Sequence, residues 1–266
     1  MLDETEPGER RVGAAAPVRR RAGVGVRGRV LLAAVVAAAV VWLASGELAW
    51  PARAYLVVLL ALLPPIAVAQ ASVIELEATS LPRIPVYLSS LAGLWFLGVL
   101  ALGAGLWSGF GPGELGLVPL GARDVAVWTA GALGGAVGLA VVWRVFGVRE
   151  SPVLEALLPR TGVEKAFFVA LSLSAGVCEE LVFRGFLIGA LEVAASSKWL
   201  AVALSAGVFG MVHAYQRVAG IVRAGLLGLV LTVPVLATGS LVPSMLAHFI
   251  YDVVAGLWLA GWLMRR

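Results

Sequence analysis

The chain has 266 residues, 61% hydrophobic and only 14% charged, with a formal net charge of +4. Soluble domains carry about 25% charged residues, so composition excludes an ordinary soluble protein, and the basic excess sits at the ends and in loops, where it bears on membrane orientation and not on nucleic acid. Long continuous apolar runs replace the ~10-residue alternating segments of a membrane barrel and predict an all-α polytopic transmembrane helical bundle, since only helices or closed barrels satisfy the backbone in lipid.

Residues 1–29 are polar and carry seven arginines: Arg10, Arg11, Arg19, Arg20, Arg21, Arg27 and Arg29. They read as a disordered basic cytoplasmic tail before an uncleaved first span, since several spans follow. The apolar runs give about eight candidate spans: Val30–Gly46, Ala54–Ile74, Ile84–Trp107, Val125–Phe146, Lys165–Ala190, Trp199–Tyr215, Val218–Thr238 and Leu241–Leu263. Most approach the ~20 residues needed to cross hydrocarbon; the first and sixth are short. Residues 30–150 form an N-terminal set of helices and residues 151–266 a C-terminal core.

With the N-terminus inside, the cytoplasmic side holds the tail arginines, Arg83, Arg144, Arg149, Arg160, Lys165, Arg217, Arg223, Arg265 and Arg266. The outer side holds only Arg53, Arg123 and Lys198. This bias follows the positive-inside rule and puts both termini in the cytoplasm. Arg in place of Lys, with abundant Ala and Gly, suggests a GC-rich bacterial genome, hence a bacterial inner membrane.

Four further features stand out. Ser151–Lys165, SPVLEALLPRTGVEK, is too polar to span and reads as an interfacial amphipathic helix. Gly131–Gly138, GALGGAVG, carries small-xxx-small patterns for close helix packing. Trp50, Tyr55, Trp107, Trp199 and Tyr215 lie near span ends and read as interfacial anchors. Cys178 is the one cysteine, which rules out an intrachain disulfide, and it reads as a small buried hydrophobe.

The stretch Ala175–Leu191, AGVCEELVFRGFLIGAL, places Glu179, Glu180 and Arg184 inside an apolar span. A charge at the bilayer centre costs about 2.5–3.5 kcal/mol, so intramembrane charges point to function. Both histidines of the chain also fall in spans: His213 ends FGMVH, and His248 opens HFIYD, which ends at Asp252. The first four spans contain nothing comparable. Glu180 and Arg184 are four apart on one helix face, with the acid N-terminal, the favoured ion-pair order. Glu179 points about 100° away and has no partner on its own helix, which suits a general base. His248 and Asp252 are also four apart, so Asp252 can accept a ring N–H, fixing the tautomer or stabilising the imidazolium. Taken singly, each pair reads equally well as a structural contact.

Glu-Glu-x-x-x-Arg at 179–184, Phe-x-x-x-His at 209–213 and His-x-x-x-Asp at 248–252, in this order on successive helices, resemble the CPBP family. That family comprises glutamate-dependent CAAX prenyl proteases of type 2 and bacterial relatives of the Abi group, among them bacteriocin-processing and self-immunity proteins. The resemblance covers about residues 164–263. It implies an intramembrane endopeptidase in which Glu179 and His213 activate a water, His248 and Asp252 serve the oxyanion, and Glu180 and Arg184 support the site. Eukaryotic prenyl proteases carry Asn where Asp252 stands. An ionised Asp cannot donate a hydrogen bond, so either Asp252 is protonated or it orients His248 and the ring donates. The second is favoured, because a carboxylate four residues away should keep the ring cationic, and a cation suits an oxyanion.

The zinc-protease spacing His-Glu-x-x-His is absent, and the resemblance implies catalysis without metal or other cofactor. The expected partners are a peptide or membrane-protein substrate and the lipid bilayer, with no nucleic acid; no pattern sets an oligomeric state. The competing reading is a non-proteolytic membrane scaffold or self-immunity protein of the same fold. A transporter with intramembrane Glu and His ranks last, because the two halves show no inverted repeat. The topology also sets a geometric condition. Glu179 lies mid-span while His213 ends a short span, so they meet only if span six sits deeper or span five is entered through a re-entrant segment near Pro159.

Overall fold

The computed structural model describes residues 24–77, 81–147 and 151–259, and every regular element among them is helical. In chain order these are α1 (Val24–Ala44), α2 (Trp50–Val57), which runs through a π-helical turn Val58–Leu62 into α3 (Leu63–Glu77), α4 (Arg83–Trp107) and α5 (Ala122–Val145). Then come α6 (Pro152–Leu157), α7 (Gly162–Glu180), which continues through a π-helical segment Leu181–Leu187 into α8 (Ile188–Ala195), α9 (Lys198–Val212), a 3₁₀ turn Ala214–Gln216, α10 (Arg217–Thr238) and α11 (Val242–Val254) with a π-helical end Ala255–Leu259.

Length and composition qualify five stretches to cross a membrane: Trp50–Ala71, Arg83–Trp107, Ala122–Val145, Gly162–Ala195 and Ala214–Thr238. The other three of the eight expected runs are shorter apolar helices, Leu31–Ala44, Lys198–Val212 and Val242–Trp258. Residues 24–29, expected in the tail, form the first turns of α1. Residues 1–23, Arg149, Arg265 and Arg266 lie outside the described residues.

Local chemistry sets the helix ends. Ser151 caps α6, accepting from the N–H groups of Val153 and Leu154, with Pro152 in the first turn. Thr161 and Glu164 form a capping box at the start of α7. Ser196, in the left-handed region (φ 50°), ends α8, and Ser197 caps α9, so the two helices form a tight hairpin. The segment expected to be one amphipathic helix is thus the short α6 followed by a turn into α7. Tyr87 of α4 ties α6 down by donating to the carbonyl of Leu157.

In lipid there is no hydrophobic drive between helices, so close backbone approach and polar contacts hold the bundle. α4 and α7 run side by side, joined by Arg83–Glu164 (3.6 Å), by Trp95 Nε1 donating to Ser174 Oγ (3.1 Å), and by Gly98 packed on Cys178. Cys178 is buried there, as expected of a small apolar residue. The loop between α4 and α5 folds into the bundle with Leu115 fully buried. Its Gly116 takes a positive φ (+71°), and the Gly116 carbonyl accepts from the Leu241 N–H at 2.8 Å.

Within GALGGAVG, Gly135 alone meets a neighbour, Val230 of α10, while Gly131, Gly134 and Gly138 face open space. The expected close packing therefore runs through one glycine and the buried Ala132 and Ala136. Trp50, Trp107 and Trp199 are 61%, 75% and 74% exposed. Tyr55 is no anchor: it is buried, donates to the carbonyl of Leu97 at 2.6 Å and packs on Phe186.

Candidate active site

The six residues singled out from sequence lie on three neighbouring stretches: α7 with its π segment, the end of α9, and α11. Glu180 is fully buried, and its Oε1 accepts two hydrogen bonds. One comes from Arg184 Nη1 at 3.0 Å, one helical turn on, and the other from His248 Nδ1 at 2.8 Å, across from α11. The Arg184 guanidinium also lies over the Phe209 ring, 4.4 Å from its centroid, a cation–π contact that offsets part of its desolvation. Glu180, Arg184, Phe209 and His248 thus form one buried unit joining three helices.

Glycines permit this approach. A Cβ on Gly176 of α7 would lie 2.8 Å from the carbonyl of Met245 and 3.1 Å from the amide of Phe249, so only glycine lets α11 come close enough to seat His248 on Glu180. A Cβ on Gly228 of α10 would lie 3.0 Å from Arg184 Nη2 and 3.1 Å from the Phe209 ring. A Cβ on Gly210 of α9 would meet the Ile221 carbonyl at 2.5 Å, so α9 and α10 also touch backbone to backbone. The π segment begins directly after Glu180 and carries Arg184; such widened turns concentrate at functional sites.

The other nitrogen of His248 faces two more carboxylates. Its Nε2 lies 3.8 Å from Glu179 Oε2 and 3.6 Å from Asp252 Oδ2, ion-pair distances rather than hydrogen bonds. Glu179 and Asp252 keep side-chain exposures of 18% and 31%, against 0% for Glu180, so they form the accessible edge of the cluster. One sequence expectation needs correction here. The bond that fixes the His248 tautomer goes to Glu180 on α7, not to Asp252. A carboxylate 68 positions away is better placed than the one a turn on, because Gly176 brings α11 onto α7.

His213 follows the last residue of α9, and its Nδ1–H donates to the Phe209 carbonyl at 2.7 Å. A carbonyl can only accept, so the proton is on Nδ1 and Nε2 is the nitrogen left for chemistry. Its ring packs on Phe209, centroids 4.8 Å apart. No hydrogen bond or ion pair joins His213 to Glu179 among the described residues. Counted along the two helices, however, the residues stand at similar heights. Glu179 lies sixteen residues before Ala195 and His213 fifteen after Lys198, on the two arms of one hairpin. At 1.5 Å per residue, both stand about 23 Å from the turn. The 34-residue stretch Gly162–Ala195 is longer than expected, and that length brings its middle level with the end of the short α9.

Tyr215, Gln216 and Arg223, outside the six candidate residues, form a hydrogen-bonded chain beside His213. Tyr215 was grouped with the anchors, yet it sits in the 3₁₀ turn after His213 with its ring 6.1 Å from the imidazole. Its position two residues past His213 was the available signal.

Fold and site together define the class, an all-helical integral membrane protein with a buried Glu–Arg–His brace and two carboxylates at its accessible edge. Residues 162–254, about a third of the chain, match the family model described as Rce1-like, type II CAAX prenyl endopeptidase Rce1-like, and over this segment the chain is similar to that family. No curated protein and no solved structure matches the chain.

Proposed function

We propose that the protein is a membrane endopeptidase that hydrolyses a peptide bond with an activated water. The observation that carries the reading is the edge of the cluster: the carboxylates of Glu179 and Asp252 flank Nε2 of a histidine whose Nδ1 is locked by Glu180. The family match over the same residues makes peptide hydrolysis the chemistry to expect.

In the mechanism, Glu179 and Nε2 of His213 hold the attacking water between them. The water oxygen bonds to the scissile carbonyl carbon while its proton passes to this pair. The carbonyl oxygen becomes an oxyanion, which His248 stabilises through Nε2. The tetrahedral carbon then expels the amine, which takes the proton back as the C–N bond breaks, leaving a carboxylic acid. Glu180 and Arg184 do not react; their buried pairing holds His248 at its angle. Asp252 flanks the imidazole from its own helix.

On this reading the arginine bias puts both termini in the cytoplasm, and the site opens toward the inner surface of a bacterial membrane. The substrate is then a peptide or membrane-protein segment reaching the site from that side. The test uses purified protein in liposomes with quenched-fluorescent apolar peptides, with and without a farnesyl thioether. Wild type should cut at one bond, and Glu179→Gln should lower kcat by at least about 10²-fold. An unchanged rate in Glu179→Gln overturns the mechanism. No cleavage of any peptide by wild type favours a scaffold that uses the same brace.

A further inference from the structure

We propose that Tyr215 is a further hydrogen-bond donor of this site, its phenolic O–H serving the oxyanion that forms on the scissile carbonyl. The proposal rests on the endopeptidase reading and supplies something that reading lacks. Asp252 as a carboxylate cannot donate, so His248 alone would otherwise face the developing charge.

The first support is a directed chain of hydrogen bonds. Arg223 Nη2 donates to Gln216 Oε1 at 2.7 Å, and Gln216 Nε2 donates to the Tyr215 hydroxyl at 3.0 Å. An arginine can only donate, so the amide orientation is fixed: its oxygen faces Arg223 and its NH₂ faces Tyr215. The hydroxyl oxygen is then an acceptor in this chain, and its own proton is left to donate elsewhere. A donor chain of this kind strengthens the terminal donor. The second support is placement. The Tyr215 ring lies beside the His213 ring at 30° between planes, and the groups that act electrostatically on its hydroxyl include Glu179 and Asp252.

The third support is backbone strain. Arg217, which closes the turn carrying Tyr215, has φ 66° and ψ −176°. That region is essentially restricted to glycine, and such outliers persist where the surrounding structure enforces them. The enforcement is visible, since Ser151, the cap of α6, donates from its hydroxyl to the Tyr215 carbonyl at 3.4 Å. Tyr87 holds the other end of α6. A tyrosine acting only as an interfacial anchor needs neither the relay nor the clamp.

Tyr215→Phe keeps the ring against His213 and removes only the donor. On the quenched-fluorescent peptide that wild type cuts, kcat should fall by about 10²-fold, the usual effect of losing one oxyanion donor. KM and the melting midpoint should stay at wild-type values. A phosphinate analogue of that peptide, which mimics the tetrahedral intermediate, should lose affinity by a similar factor. Gln216→Leu should lower kcat less, and the double variant should be no worse than Tyr215→Phe, because the amide acts through the hydroxyl. Tyr215→Phe at the wild-type rate, or a double variant whose losses multiply, overturns the proposal while leaving the endopeptidase reading in place. If Tyr215→Phe melts early, Gln216→Leu and its phosphinate affinity decide the matter alone. No cleavage by wild type overturns both readings together.

Discussion

Removing Glu180 tests the brace at the centre of the site. Its carboxylate is fully buried and is the acceptor for two cations or potential cations, Arg184 at 3.0 Å and His248 at 2.8 Å. Arg184 has a side-chain exposure of 1%, so Glu180→Ala would leave a guanidinium in the interior with only the Phe209 ring beneath it. Breaking one partner out of a buried pair costs about 3–5 kcal/mol. For a chain of this size that lowers the melting midpoint by roughly 6–20 °C. The chain carries its own reporter, because the single cysteine, Cys178, is buried next to the glutamate pair. A thiol-reactive fluorophore added to the purified protein during heating therefore reads unfolding directly. Glu180→Gln should fall between, since the amide oxygen accepts one hydrogen bond but carries no charge. Glu180→Leu with Arg184→Met removes both charges and should recover most of the stability, because apolar replacement of a whole buried pair is often neutral or better. Activity should stay lost in that variant, since His248 Nδ1 has no acceptor to orient it. A Glu180→Ala protein that melts with wild type, or a double variant that stays as unstable as the single, would refute the brace.

Other substitutions probe the supports separately. Gly176→Val should push α11 off α7, with an overpacking cost of about 1–3 kcal/mol and a loss of cleavage beyond any loss of folded protein; folded Gly176→Val cleaving at the wild-type rate would show that the close approach does not matter. Tyr55→Phe removes a buried hydrogen bond to Leu97 far from the chemistry, so the melting midpoint should drop by the equivalent of about 1 kcal/mol with kcat unchanged. Arg217→Gly and Arg217→Ala delete the same side chain, but only glycine relieves the backbone, so the glycine variant should be the more stable by about 1–2 kcal/mol; equal midpoints would deny the strain. Cleavage should survive EDTA dialysis, since Arg184 and His248 already engage Glu180 and take one carboxylate out of any ligand set.

The membrane class and the polar cluster of Glu179, Glu180, Arg184, His248 and Asp252 were readable because lipid penalises every exception. A charge in an apolar run stands out against its neighbours, and two histidines in 266 residues leave few ways to assemble a site. The partition of the glutamates was readable from helical spacing, which pairs Glu180 with Arg184 and turns Glu179 away. The cross-helix partners were not. Spacing on α11 points His248 to Asp252, and only the packing of Gly176 on Met245 reveals that Glu180 takes Nδ1. Span lengths misled in the same way. A short sixth run looked unable to reach the depth of Glu179, but the fifth span is a continuous 34-residue stretch, and by residue count Glu179 and His213 lie at similar heights. The contacts of Tyr215 were not readable either, since a tyrosine at a span end has the composition of an anchor, and spacing does not reveal that Gln216, itself held by Arg223, donates to its hydroxyl.

The arrangement separates two demands that one carboxylate could not meet. Holding an imidazole rigid in the interior calls for a fully desolvated, neutralised partner, and Glu180 meets that demand with Arg184 beside it. Activating water, as proposed, calls for a carboxylate that is accessible and not committed to a cation at hydrogen-bond distance. Glu179 has those two properties, standing 3.8 Å from Nε2 of His248 and partly exposed. Adjacent residues on a helix diverge by about 100°, so a Glu-Glu pair is the shortest sequence that puts one acid into the interior and the other at its edge. Exchange of the two roles by a one-residue shift would bury the reactive acid and expose the brace. An Ala inserted after Gly176 should therefore abolish cleavage more completely than Glu179→Gln, because it displaces both glutamates from α11 at once.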